Sequence, residues 1–177
     1  KSKFPNSNLD LSSLYTKYIT YGGFPYLHKI YEENEIIKDY LQGLYSTIVL
    51  KDIQQRKKIT DTLLLEKIVK FALQNTGNLL SPKKICDTFI SNGYTDVNRI
   101  TINSYVNYLQ DAFLINKAER YDIKGKKYIS TPSKYYFTDI GLRNARLNFR
   151  QQEENHLMEN IIYNELLLRG YNVDVGV

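Results

Sequence analysis

Three observations predict a mainly α-helical fold carrying one small β-hairpin. Apolar residues recur at three-to-four-residue spacing in successive segments before residue 114, the signature of helices with one buried stripe. Gly, Pro and Asn-Gly pairs punctuate those segments. After residue 114 the texture changes to alternating side chains around a Lys124-Gly125-Lys126 turn, which is hairpin chemistry.

The elements follow in order. Residues 1–13 are polar, with Pro5 and four serines, and read as a linker or frayed end. Residues 14–30 are Tyr-rich and broken at Gly22-Gly23-Phe24-Pro25, a tight turn because glycine tolerates positive φ and proline fixes its own. Ile36, Ile37, Tyr40, Leu41, Leu44, Ile48 and Val49 define an amphipathic helix, ended by the polar stretch 51–58. Residues 63–73 form the next helix, with Leu64, Ile68, Phe71 and Ala72 inward and Gly77 as a left-handed cap. Ser81-Pro82 opens another, as N-cap and first helical residue, with Ile85, Phe89 and Ile90 inward and Asn92-Gly93 closing it. Residues 98–113 give a longer helix on an Ile102, Val106, Leu109 and Phe113 stripe.

Residues 115–123 and 127–130 make the hairpin, with a short third strand at 135–137. Three helices followed by a basic hairpin is the order of a winged helix-turn-helix. Thr138-Asp139 then caps a short helix at 140–147. A polar linker at 150–155 leads to a last helix at 157–169, with Leu157, Ile161, Ile162 and Leu166 inward, and an alternating strand at 171–175. This final pair reads as the opening of a further α/β unit without partner strands. The division is therefore 1–60, a linker and lid-like helical segment; 61–138, the winged helix; and 139–177, the start of a truncated α/β domain.

Composition narrows the function. The chain is 42% hydrophobic and 24% charged, which excludes collagen-like, disordered and coiled-coil classes. No apolar run is long enough to span a bilayer. One cysteine, Cys86, excludes an internal disulfide and fits a cytoplasmic setting. The two histidines, His28 and His156, do not combine with it into a zinc-binding pattern. The chain opens at Lys1, its only methionine is Met158, and it closes within the last strand, so it is expected to be part of a longer protein. Residues 98–150 hold ten Lys/Arg against four Asp/Glu, a local +6 that exceeds the whole-chain +5. Such an excess attracts phosphate or an acidic surface.

Two binding readings follow. In the first, the 98–113 helix enters the major groove of duplex DNA and the wing touches phosphates. Asn98, Arg99, Thr101, Asn103, Ser104, Asn107 and Tyr108 are the helix candidates, and Lys124, Lys126 and Lys127 the wing candidates. Asp111 counts against it, projecting an unpaired carboxylate beside Ser104 and Tyr108. In the second, sixteen tyrosines supply a protein-interaction or oligomerisation surface. A catalytic reading lacks support: there is no Ser/His/Asp set, and the Gly125-Lys126 pair lies in a hairpin turn rather than a phosphate-cradling loop.

Several strings carry a further resemblance: Tyr21-Gly22-Gly23-Phe24-Pro25, Lys51-Asp52-Ile53 with Arg56, Thr101-Ile102-Asn103-Ser104-Tyr105, and Asp111-Ala112-Phe113-Leu114. Lys134-Tyr135-Tyr136-Phe137-Thr138-Asp139-Ile140-Gly141-Leu142-Arg143-Asn144, Met158-Glu159-Asn160, Asn164-Glu165-Leu166 and Arg169-Gly170-Tyr171 continue it. Together they resemble the C-terminal half of a family of prokaryotic P-loop ATPases of the AAA+ superfamily. The resemblance implies an ATPase core upstream, which would bind ATP and Mg and be this region's partner. Gly22, Gly23 and Arg56 would then be lid residues near the nucleotide. It also implies a restriction-endonuclease-like α/β fold after the winged helix. Glu159 or Glu165 would supply the early helix acid of that fold, with its strand acids past Val177. This chain would itself be non-catalytic.

Overall fold

The computed structural model describes residues 10–30, 32–150 and 154–176. It is mainly helical with one small sheet, as the apolar periodicity requires. The expected linker at 1–9 and part of the 150–155 linker lie outside the described residues. Residues 10–13 do not belong to a linker: Asp10 caps α1 (Leu11–Tyr21), its carboxylate accepting from the Ser12 N–H at 3.1 Å.

Gly22 ends α1 at φ +79°, and a short 3-10 turn, Pro25–Lys29, follows with proline at its first position. Next comes α2 (Asn34–Ser46). The polar stretch at 51–58 does not end it. The chain widens into a π-helical segment, Thr47–Ile53, and returns to α in α3 (Gln54–Lys57). The cause is the core spacing. Ile37, Leu41, Tyr45, Val49 and Ile53 are all buried at strict four-residue intervals. In an α-helix each such step drifts about 40° around the axis. The wider turn cancels that drift and keeps Val49 and Ile53 facing inward.

Helix α4 (Thr62–Gln74) is capped by Asp61 and buries Leu65, Ile68, Val69 and Leu73; Phe71 is only half-buried. Asn75 closes it, so Gly77 is not the cap. At φ +76°, Gly77 instead donates its N–H to the Tyr135 carbonyl at 3.1 Å. Strand β1 (Leu79–Leu80) leads to α5 (Pro82–Ser91), where Ser81 Oγ accepts from the Lys84 N–H as expected. Cys86 rather than Ile90 shares its inner face with Ile85 and Phe89; Ile90 is 53% exposed. Then come α6 (Arg99–Asp111), β2 (Ile115–Asp122) and β3 (Lys127–Phe137). Phe113, expected on the inward stripe of α6, is 79% exposed at φ +54°, because the helix has already ended and the corner turns its side chain outward.

The expected separate third strand is the continuation of β3, which pairs antiparallel with β2 from Asp122↔Lys127 to Ile115↔Phe137. An irregularity between Ala118 and Arg120 lets the hairpin bend. β1 pairs with β3 on its other side, Leu80 opposite Ser133. Helices α7 (Ile140–Arg146) and α8 (Glu154–Leu168) follow, and β4 (Val175–Gly176) completes the sheet order β1-β3-β2-β4. β4 has a partner strand after all: it lies parallel to β2, Val175 opposite Arg120. The expected inner face of α8 is also corrected. Leu157, Asn160 and Tyr163 are buried, whereas Ile162 is 53% exposed. The Asn160 amide donates to the Phe137 carbonyl (2.7 Å) and accepts from the Phe137 N–H (2.8 Å), binding α8 to the end of β3. One apolar cluster runs from Leu27 through Leu65, Ile102 and Phe137 to Leu147.

The N-terminal segment is clasped to α7. Asp139 caps α7 through the Leu142 N–H and accepts the Gly23 N–H at 2.8 Å. The Asn144 amide donates to the Ile19 and Thr20 carbonyls at 2.8 and 2.9 Å. A Cβ on Gly141 would lie 2.0 Å from the Tyr21 carbonyl oxygen. Gly141→Ala should therefore lower unfolding stability by about 2–3 kcal/mol in a urea titration. Gly43→Ala, mid-helix with open space around it, should raise stability by about 0.5–1 kcal/mol.

Candidate nucleic-acid interface

The residues selected for nucleic-acid contact occupy two places, the outer side of α6 and the β2–β3 tip. On α6, Arg99, Asn103 and Asn107 are exposed at four-residue spacing and share one stripe. Asn98 is exposed, but its carboxamide oxygen caps the helix by accepting the Thr101 N–H at 2.9 Å, so it serves the helix first. Thr101, Ser104 and Tyr108 are half-buried beside the stripe. Asn107 Oδ1 accepts from Gln110 Nε2 at 3.2 Å, leaving its amide N–H groups outward. Ile100, which sequence reasoning passed over, is 80% exposed in the first turn.

The expected repulsion from Asp111 is relieved by a contact no local pattern revealed. Lys57, from α3, reaches Asp111 at 2.7 Å and lies 4.8 Å over the Tyr108 ring. Ion pair and cation–π contact together neutralise this end of the helix. They also occupy Tyr108, so the free part of α6 is its N-terminal two turns.

At the tip, Lys124, Lys126 and Lys127 are all exposed. The turn is held by Asp122, whose carboxylate accepts the Gly125 N–H at 2.9 Å. A Cβ at Gly125 would fall 2.4 Å from that same carboxylate, so a side chain there would displace Asp122 from its turn contact. Below the tip, Tyr121 and Tyr128 meet edge to face across the strands at 5.1 Å, and the Tyr128 hydroxyl donates to Asp174 at 3.1 Å. The lysines thus extend from a braced ribbon.

The remaining selected residues are dispersed. Gly22 and Gly23 sit against the Asp139 carboxyl, which burial pushes above its ordinary range even though three backbone N–H groups favour its charged form. Arg56 pairs with Asp52 in its own shallow recess. Glu165 pairs with Arg169 at 2.7 Å. Glu159 accepts from Lys134 Nζ at 2.6 Å and from the Tyr136 hydroxyl at 2.5 Å. Burial opposes its ionisation, yet those two donors outweigh burial and hold the carboxyl below the usual range. Among the described residues no three His, Cys, Asp or Glu side chains gather as metal ligands, and no helix is long and apolar enough to cross a membrane.

One polar junction was not foreseen at all. Arg146 of α7 donates through Nε (3.0 Å) and Nη2 (2.6 Å) to one Glu66 oxygen on α4, and the Tyr45 hydroxyl of α2 approaches the same oxygen at 3.4 Å. The guanidinium lies 5.7 Å over the Tyr45 ring. Its members are 80 and 21 residues from Glu66 in sequence, so no spacing rule connects them.

The lowered Glu159 titration has a definite sign. Its stabilising contribution is present above the ordinary carboxylate range and is lost as pH falls through the depressed value. Between about pH 5 and 3 the wild type should therefore lose more stability than Glu159→Gln, by less than about 1 kcal/mol because the carboxylate is partly solvated. Urea midpoints measured across that range check this.

A family model described as "Domain of unknown function (DUF8612)" matches residues 12–153. An uncharacterized protein of Haemophilus influenzae is 39% identical over 166 residues, covering 94% of this chain and 41% of that protein. An uncharacterized protein of Methanocaldococcus jannaschii is 29% identical over 165 residues, covering 92% of this chain and 35% of that one. The chain thus spans well under half the length of either relative. No solved structure matches it at a significant level. The family match takes in α1 through α7, including the clasp, the α6 stripe and the lysine tip. The chain belongs to the DUF8612 family.

Proposed function

We propose that this chain is a non-catalytic nucleic-acid-binding module that holds duplex DNA through a winged helix. The observation that carries the reading is the order α4-β1-α5-α6-β2-β3, with the antiparallel set β1-β3-β2 and a lysine-tipped hairpin directly after the helix whose outer stripe is polar. In a winged helix the third helix enters the major groove and the hairpin lies along the backbone. Arg99, Asn103 and Asn107 supply groove-edge donors, Asn being suited to adenine. Lys124, Lys126 and Lys127 supply phosphate contacts that are blind to sequence. With one arginine on the stripe, affinity rests mostly on the tip.

The larger setting we infer is a prokaryotic P-loop ATPase of the AAA+ superfamily, in which nucleotide state upstream repositions this region. The motif order supports it, and relatives more than twice the length of the matched region leave room for such a core. Glu159 and Glu165 would belong to a nuclease-like helix in that setting, but each is engaged by a cation here. A second reading, a protein-interaction module, draws on exposed Ile100, Phe113 and Leu168, at 80%, 79% and 83%.

Fluorescence anisotropy against a random-sequence duplex separates the two. Binding should weaken steeply with salt, and the triple Lys124/Lys126/Lys127→Ala variant should flatten the log–log salt slope by roughly 2.7, about 0.9 per lost phosphate contact. Salt-insensitive binding, or a slope unchanged in the variant, would remove the DNA reading.

A further inference from the structure

A groove of about 480 Å³ opens where α1, the 3-10 turn, the α6–β2 corner, α7 and α8 meet, away from the lysine tip. Its walls are aromatic and aliphatic: Tyr18, Phe24 and Phe113, with Leu168 at the rim. Phe113 and Leu168 are 79% and 83% exposed, an unusual degree for such side chains. Phe113 also holds a left-handed backbone at φ +54°, a conformation a bulky residue adopts only where its surroundings impose it. Here the end of α6 does so, the Leu114 N–H bonding back to the Leu109 carbonyl at 3.0 Å, and the Thr138 hydroxyl donates to the Phe113 carbonyl at 2.6 Å.

The electrostatics of the groove oppose those of the protein. The chain carries +5, yet the groove is lined by two carboxylates, Asp139 and Glu165, and by no Lys, Arg or His. Asp139 is engaged by backbone N–H groups. Among the described residues Glu165 is held by Arg169 one turn along α8, with the side chains 50% and 65% exposed, a pairing that water and salt weaken. Both carboxylates raise the Tyr18 hydroxyl titration, after burial itself, so their field reaches the aromatic wall. Asn164 lines the groove too. Its Nδ2 donates to the Phe137 and Thr138 carbonyls, while its Oδ1, shielded from solvent, has no hydrogen-bond partner among the described residues.

We infer that this groove is a binding site for an arginine side chain flanked by apolar residues, presented by an extended segment of a partner protein. A guanidinium matches the lining feature by feature. Its plane stacks on aromatic rings and its fork of N–H groups pairs with a carboxylate. A lysine ammonium would meet the charge without the planar contacts. The apolar neighbours of the arginine would cover Phe113 and Leu168. The site does not depend on DNA binding.

The test is a titration of the ¹⁵N-labelled chain with the capped peptide acetyl-Leu-Arg-Phe-amide, followed by NMR. The same peptide with citrulline, a neutral isostere of arginine, is the control. The expected result is saturable shifts at the amides of Phe113, Glu165 and Leu168, and at least tenfold weaker binding for citrulline. Glu165→Gln should weaken the arginine peptide about tenfold. Phe113→Gly removes the ring while suiting the left-handed backbone, so it should keep or raise the melting temperature and still weaken binding severalfold. Equal binding of both peptides, shifts elsewhere on the surface, or no shifts at millimolar peptide would each overturn the inference. Loss of duplex binding in the tip variant, with peptide binding intact, would leave it standing.

Discussion

The structure depends on one short stretch, residues 137–144, where β3 ends and α7 begins. Within it, Phe137 offers its N–H and carbonyl to Asn160, and its carbonyl also to Asn164, fixing α8. Thr138 donates through its backbone N–H to the Leu114 carbonyl and through its hydroxyl to the Phe113 carbonyl, fixing the corner after α6. Asp139 and Asn144 then fix the end of α1. Backbone groups must find partners, and here those of Phe137 find them in two α8 side chains, while Thr138, Asp139 and Asn144 of the stretch itself serve the backbone of the α6 corner and of the end of α1. Neutral hydrogen bonds of this kind stabilise by only about 1 kcal/mol each, but leaving any one buried group unmet costs about 1–3 kcal/mol. The network therefore forms as a set. Its main effect is to specify which elements meet.

That hub reinterprets the motifs. Two of the strings that carry the sequence resemblance, Tyr21 to Pro25 and Lys134 to Asn144, are each other's binding partners. Gly22 is required because it holds a positive φ and the Asp139 carboxyl occupies the space a side chain would take; Gly23 donates its N–H to that carboxyl, and a Cβ there would press on the Tyr18 ring at 3.1 Å. Gly141 is required because the Tyr21 carbonyl approaches it. These residues have a complete architectural reason to be what they are. The features with no such reason are the α6 stripe, the lysine tip and the acid-and-aromatic groove, and function is better sought there.

Local signals were read well from sequence and non-local ones poorly. Ser81 and Asp139 act as caps where the text of the chain places them, because a cap involves residues three apart; Asn98, read as a groove contact, caps its helix as well. The π-helical widening was legible in principle: five buried positions at intervals of four are incompatible with a straight α-helix. The inner face of α8 was not. Asn160 faces inward to satisfy Phe137, a partner 23 residues away, and apolar periodicity chose Ile162 in its place. Lys57 meeting Asp111 and Arg146 meeting Glu66 likewise join residues that only the folded chain brings together. At the candidate interface, the residue types were legible, but distant contacts such as Lys57 with Asp111 decided which of them remain open.

Photo-cross-linking measures the central claim most directly. A duplex carrying 5-iodouracil along both strands would be irradiated with the intact chain, and the attached peptides mapped by mass spectrometry. The account predicts adducts within α6, near Arg99 to Asn107, and at the 124–127 tip, suppressed by added salt. Adducts confined to α1, α2 or α8, or none where anisotropy shows binding, would contradict it.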